Sequence, residues 1–483
     1  MVFTPGNALS VLVFFVWVPF ALWAAKRWPA AKAAAWLSLL PIMFLPERVE
    51  FDLPVFPSLK KAELGVFWAL VATFLFHRQR FRALRLGLIY KACFTVLLLG
   101  YCVTILTNTS PIVESAVYLR PHQPTDLISA VIWITLSYIL PFVLGAAIFR
   151  TPRDLRVLFR VLVIATMIYG VLQLVEVRLS PKLNLWTYGF FQHSFAQMRR
   201  AGGFRPIVYM SHGLVVAMFT LVGIVAAAML HKSKTKTWKL SSGVTLGFLS
   251  IVTILNKGVA AMVYAFVAVP LVLFASPKTQ MRVAVVIAVL VLSYPVLRSL
   301  DLVPVDTLYE TATEQFAEER AESLMTRFVN EKMLLERALE RPLFGWGTYG
   351  RPFIYSPKSG KKITIADGDW IITLGTSGYV GFLSKYLLLL LPIFFAARQM
   401  KNIPRESDRR YLAALSLIMA FSTLDLIPNS TSHYLPFVLS GALLGCSLGI
   451  AELARKQRLA RILEARKRAN RAPALQGVAP AAS

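Results

Sequence analysis

Residues 207–230 read IVYMSHGLVVAMFTLVGIVAAAML, twenty-four positions without a Lys, Arg, Asp or Glu. As a helix this stretch reaches about 36 Å, enough to cross a hydrocarbon core of about 30 Å. Its flanks are as telling as its interior. Arg199-Arg200-Ala201-Gly202-Gly203-Phe204-Arg205-Pro206 precedes it, and Lys232, Lys234 and Lys236 follow. A polar turn, an apolar crossing and a basic turn in succession predict a membrane span.

Working outward, comparable runs lie near 8–25, 31–46, 62–76, 86–106, 127–149, 156–176, 240–255, 258–275, 283–299, 370–397, 411–427 and 434–453. With residues 207–230 they predict an all-α, polytopic transmembrane bundle of about twelve to thirteen spans. The whole chain agrees: of 483 residues 56% are hydrophobic and 16% charged, with a mean hydropathy of +0.59. A soluble domain carries roughly a quarter charged residues. Cys93, Cys102 and Cys446 fall inside apolar runs without a CxxC pair, so neither a zinc site nor a disulfide framework is indicated.

The net charge of +27 would suggest nucleic acid in a soluble chain. Here it is explained by alternate loops. Lys26, Arg27 and Lys32 stand in one; Arg78 to Arg85, Arg150 to Arg156, Lys232 to Lys236, Lys278 with Arg282, and Arg398 to Arg410 stand in others, as does the stretch 455–471. Positive loops stay inside, which places the C-terminus in the cytoplasm and the N-terminus outside. The first run has no basic leader and no small-residue cleavage site, so it reads as a retained helix. The tail after Arg471 has no apolar periodicity and is expected to be disordered.

This divides the chain into spans over 1–299, a long outer loop over 300–369, spans over 370–453 and a basic tail over 454–483. Shorter outer loops lie at 47–61, 107–126 and 177–206. The long loop should hold a helix near 317–340, with Ala321, Met325, Phe328, Leu335 and Leu339 on one face and Arg320, Ser323, Arg327 and Asn330 on another. Glu318, Glu319 and Glu331 read as helix-surface partners.

Gly345-Trp-Gly347-Thr-Tyr-Gly350 matches the pattern of a dinucleotide fingerprint. It follows a helix and precedes Pro352, so it lacks the strand before and helix after that the fingerprint requires; a turn in close backbone contact explains the glycines. No GxxxxGK[ST] occurs, so a reaction on the outer face would use a donor already activated. Gly441, Gly445 and Gly449 recur every fourth position in the last span, as close helix packing asks.

Arg199, Arg200, Arg205 and His212 break the positive-inside trend. Head-group anchoring would explain them, and so would an anion site, because guanidinium pairs bidentately with phosphate. Arg320, Arg327, Arg337, Arg341 and Arg351 repeat the theme in the long loop. Asp367 and Asp369 stand where that loop re-enters the membrane; helix capping accounts for one of them, and the other is a candidate ligand or catalyst. Asp425 and His433 flank the last two spans and are further candidates. Lys385 lies deep enough in its span to snorkel inward.

These parts resemble the O-antigen polymerase and O-antigen ligase superfamily of bacterial envelope proteins. The resemblance is carried by Arg200-Ala-Gly-Gly203-Phe204-Arg205-Pro206, by Arg341-Pro342-Leu343-Phe344-Gly345-Trp346-Gly347, and by Gly378-Tyr-Val-Gly381. The family's re-entry motif resembles His-Asn-x-x-Leu, with Gly-x-x-Gly eleven residues after the His. Asp367 and Gly368 stand at its first two positions, so the usual His is an Asp here.

The resemblance implies glycan transfer on the periplasmic face of the inner membrane, without metal or cofactor. The donor would be an oligosaccharide on undecaprenyl diphosphate, and the acceptor another lipid-linked unit or a lipid core. Bilayer lipids, a flippase and a chain-length regulator would be the partners. Arg200, Arg205, Arg327 and Arg341 would then contact the diphosphate, and Asp367 or His212 would take the acceptor proton, with inversion at the sugar carbon. Arg320, Arg351, Asp369, Asp425 and His433 are reserves. Of the activities the resemblance implies, a repeat-unit polymerase is the expectation. A ligase on the same fold, and a transporter or flippase, are its rivals.

Overall fold

The computed structural model describes residues 2–475 apart from 53–55, 115, 201, 236–239, 306, 308–309, 311–312, 315–317 and 432. Helices stand at each of the thirteen stretches read as spans. They are α1 (Ala8–Arg27), α2 (Ala30–Phe44), α3 (Lys61–Arg82), α4 (Leu88–Leu106), α5 (Thr125–Ile148) and α6 (Pro152–Leu179). Then come α7 (Gly213–Lys232), α8 (Ser242–Leu255), α9 (Val259–Phe274) and α10 (Pro277–Ser299). After α11 (Glu318–Leu339) follow α12 (Asp369–Gln399), α13 (Glu406–Leu424) and α14 (Leu435–Leu475).

Among the described residues, eight helices are long and apolar enough to cross a membrane: α1, α4, α5, α6, α7, α10, α12 and α14. The other five expected spans fall short. α2, α8 and α9 have 15, 14 and 16 residues, about 21–24 Å against a core of about 30 Å. α3 and α13 carry charged turns, Arg78 to Arg82 and Glu406 to Arg410, that shorten their apolar lengths.

The stretch at 213–230 forms the middle of the bundle. Almost every residue of α7 is buried, with α6, α8, α9 and α13 packed around it. A helix apolar on all sides belongs there. Gly441, Gly445 and Gly449 of α14 press on α5 and its end: a Cβ on them would lie 2.1 Å from the Phe142 oxygen, 2.4 Å from that of Ala146 and 1.9 Å from that of Arg150. Close packing accounts for that motif.

α12 departs most from expectation. The apolar run at 370–397 predicts one crossing, but the helix breaks at Gly378, whose φ of 63° and ψ of −169° are a combination reserved for glycine. A break exposes backbone groups that a membrane cannot satisfy. The turn at 342–347 satisfies them. Trp346 and Gly347 donate to the Gly375 and Thr376 carbonyls at 2.8 and 2.9 Å, while Tyr379 and Val380 donate to Pro342 and Leu343 at 2.7 and 3.2 Å. Gly345 and Gly347 adopt φ of 66° and 79°, and a Cβ on Gly345 would stand 2.6 Å from the Ser377 nitrogen. The GxGxxG segment is therefore a helix-capping turn.

The inward face of α11 is rotated from the one expected. Phe328, Glu331, Leu334, Leu335 and Ala338 face the bundle, and Leu339 is exposed. Ala321 and Ser323 have side chains outside the described residues. α14 runs helical to Leu475, into the tail expected to be disordered, and residues 476–483 lie outside the described residues.

Candidate functional site

The short hairpin of Arg199–Arg200 and Gly203–Phe204 turns at Gly202, φ 69°. The chain then runs through Arg205 and Pro206 toward α7. Glu176, buried at the end of α6, fixes this path by accepting from the Ile207 and Val208 amides at 2.8 Å each and from Leu183 at 3.0 Å. The Tyr169 hydroxyl adds a bond from the Tyr209 amide at 3.0 Å. Arg205 is laid over the start of α7, where a Cβ on Gly213 would be 2.3 Å from its Cδ.

Lys257 completes the arrangement from the break between α8 and α9. Its ammonium donates to the Arg200 carbonyl at 2.9 Å, and its own carbonyl accepts from Arg205 at 3.0 Å. Asn256 beside it donates to Thr220 of α7 at 2.9 Å. Burial and the charges of Arg200 and Arg327 lower the Arg205 guanidinium to about 10, so it stays protonated at neutral pH. Arg200, Arg205, Lys257 and Arg327 form one cationic group built from three distant parts of the chain. Among the described residues, the Nε of Arg205 is buried without a partner.

His212 has another occupation than base. Its Nδ1 accepts the Leu214 amide at 3.0 Å, capping α7, and its ring meets His193 edge-on at 4.6 Å. Burial, His193 and the neighbouring arginines lower it to about 4, so it is neutral and weakly basic.

Arg327 and Asp367 meet at 3.2 Å, both half-exposed, on the wall of a cavity of about 210 Å³. The cavity is otherwise largely apolar, lined by Phe328, Leu334, Ile371 and Ile427 among others. Asn330 holds the segment before Asp367 by accepting from the Ile365 amide at 2.8 Å. Glu331, expected on the helix surface, points inward instead. It accepts from Arg298 at 2.8 Å, Tyr294 at 3.1 Å and Trp370 at 3.3 Å, and burial raises its carboxyl.

Asp369 takes a separate part. Its carboxylate is buried, 2.8 Å from Lys385 Nζ through both oxygens and 2.9 Å from the Tyr386 hydroxyl. Lys385 does not snorkel; it is buried in this pair. Asp425 caps the loop after α13, accepting from Asn429 and Thr431 at 2.9 Å each, and burial raises it to about 6. His433 caps α14 through the Leu435 amide at 3.2 Å, and burial lowers it to about 4.

Arg341 and Arg351 stand apart from the cationic group. Arg341 donates to Thr107 and Asn108 and lies over the Trp346 ring at 4.3 Å. Arg351, fully buried, donates to the carbonyls of Trp346, Ser110 and Arg120. Both fasten the capping turn to the 107–122 loop. The Arg320 side chain lies outside the described residues. Among the described residues, no group of three or more His, Cys, Asp or Glu is placed to hold a metal ion.

Lys257 and His193 were not singled out in the sequence, although Lys257 interrupts two apolar runs as the arginines do. Glu331 carried a signal too, since 328, 331, 335 and 338 share one helical face. The arrangement is a cluster of cations with a carboxylate at its edge and a largely apolar cavity beside it. No protein-family model matches the chain, and no curated protein matches it.

Proposed function

We propose that the chain polymerises lipid-diphosphate-linked oligosaccharide units on the outer face of a bacterial inner membrane. The observation that carries this reading is the convergence of Arg200, Arg205 and Arg327, from loops more than a hundred residues apart, beside Asp367 and an apolar cavity. A diphosphate on an isoprenoid chain has the two chemistries this arrangement offers, charge for the arginines and hydrocarbon for the cavity.

In the reaction, Asp367 accepts the proton of the acceptor hydroxyl as its oxygen bonds to the donor sugar's anomeric carbon. The bond from that carbon to the diphosphate breaks from the opposite face, inverting the centre. The lipid diphosphate leaves with the electron pair, and the arginines stabilise its charge. Arg327, paired with Asp367 at rest, gains the diphosphate as a second anion. The charge distribution supports this orientation: the basic ends at Lys26, Arg80, Arg156, Lys232 and Arg405 belong in the cytoplasm with the C-terminus, and the N-terminus belongs outside.

Asp367→Asn should remain in the membrane and abolish polymer, leaving single repeat units on the lipid carrier. Normal polymer length and amount would remove Asp367 as base. Full polymer accumulating on the carrier in a deletion strain would mark a ligase, and units trapped on the cytoplasmic face a flippase. Arg327→Ala should lower donor use by about 10²–10³ in rate, with a smaller effect on acceptor use. Equal loss with both substrates would argue against a diphosphate contact.

A further inference from the structure

At the end of α7 opposite His212, about 30 Å away along the helix, lies an open pocket of about 680 Å³. Lys232 and Lys234 come from the end of α7 and its following turn, and Arg410 from the first turns of α13. Ser241 and Ser242 form its floor at the start of α8. The Ser241 hydroxyl accepts the Val244 amide at 3.3 Å, so the pocket contains the positive end of a fourteen-residue helix. Glu406, one turn earlier and largely exposed, is paired to Arg410 at 2.6 Å.

One wall is apolar. Phe274, 83% exposed, ends α9 there, and Val244, Ile251 and Ile254 run down the outside of α8 as an uncovered row. A free anion has no use for that row. A phosphodiester with acyl chains fits both parts: the phosphate between the cations and the helix start, the chains along α8 and α9.

We propose that this pocket is a binding site for one anionic phospholipid, with the phosphate held by Lys232, Lys234, Arg410 and the Ser241–Ser242 helix start. The site is independent of the glycan reading, since it shares no residue with the group around Arg205. A second basic pocket, lined by Lys278, Arg398, Lys401 and Arg409, lies at the same end and supplies a control for general charge.

The test is native mass spectrometry of the purified full chain, stripped of lipid and titrated with phosphatidylglycerol or phosphatidylethanolamine. One phosphatidylglycerol should be held about tenfold more tightly than phosphatidylethanolamine. Ser241→Asp keeps a good helix cap while placing a negative charge in the pocket, and should weaken that lipid by about tenfold. Lys234→Gln with Arg410→Gln should do the same by another route, and Lys401→Gln should not. Equal retention of the two lipids would overturn the proposal. So would equal weakening by Lys401→Gln, or wild-type affinity in a folded Ser241→Asp protein. Displacement of the lipid by inorganic phosphate alone would identify a free-anion site instead.

Discussion

Asp369 and Lys385 are sixteen residues apart within one helical element, yet their carboxylate and ammonium meet at 2.8 Å. In an unbroken helix those positions would lie about 24 Å apart. The bend at Gly378 folds the element into two arms, and the buried pair, with Tyr386 and Thr373, fastens them. Asp367 stands two residues before Asp369, so the pair fixes the base of the arm that presents it to Arg327.

Gly378→Ala should destabilise the protein by about 1–3 kcal/mol through backbone strain alone. A Cβ there would also stand 2.3 Å from the Leu343 backbone. Thermal unfolding in detergent measures the loss, and wild-type stability would mean that the arms are not bent as described.

Lys385→Met leaves the Asp369 carboxylate buried without its cation, which costs about 3–5 kcal/mol. Asp369→Asn added to it should recover most of the loss, because no buried charge then remains. A double variant as unstable as the sum of the singles would show that the two residues act separately.

His212→Ala should cost about 1 kcal/mol, and His212→Asn should restore it, because asparagine caps helices well. If His212 were the base, both variants would lose activity alike. Because its folded value, about 4, lies below the ordinary 6.5, the unfolded chain binds the proton first. The stability His212 contributes is therefore whole above pH 6.5 and is lost as pH falls toward 4. Replacing it with Asn should flatten the melting-temperature profile over that window. Asp425, raised from 3.8 to about 6, has the opposite slope, losing stability as pH rises through that interval.

Much of this architecture was legible from local pattern. Apolar runs located thirteen helices, and the spacing of Gly441, Gly445 and Gly449 foretold a packed face. The context of Gly345-Trp-Gly347 predicted a turn in close backbone contact, which the structure shows, although the turn's partner, a broken helix, could not be read from it. Of the basic residues considered, Arg200, Arg205 and Arg327 share a site, whereas Arg341 and Arg351 serve as fasteners. Residue type alone does not separate these uses, because a guanidinium forks as readily to a backbone carbonyl as to a phosphate.

The sequence by itself determined a helical chain of many apolar runs separated by charged loops, because burial of apolar length and exclusion of charge from hydrocarbon act on each segment locally. Tertiary structure decided which polar groups meet. Glycine at 378 permits a left-handed break without requiring one. Only the pairing of Asp369 with Lys385 and the capping by residues 342–347 select it, and both depend on segments that come together after the helices pack.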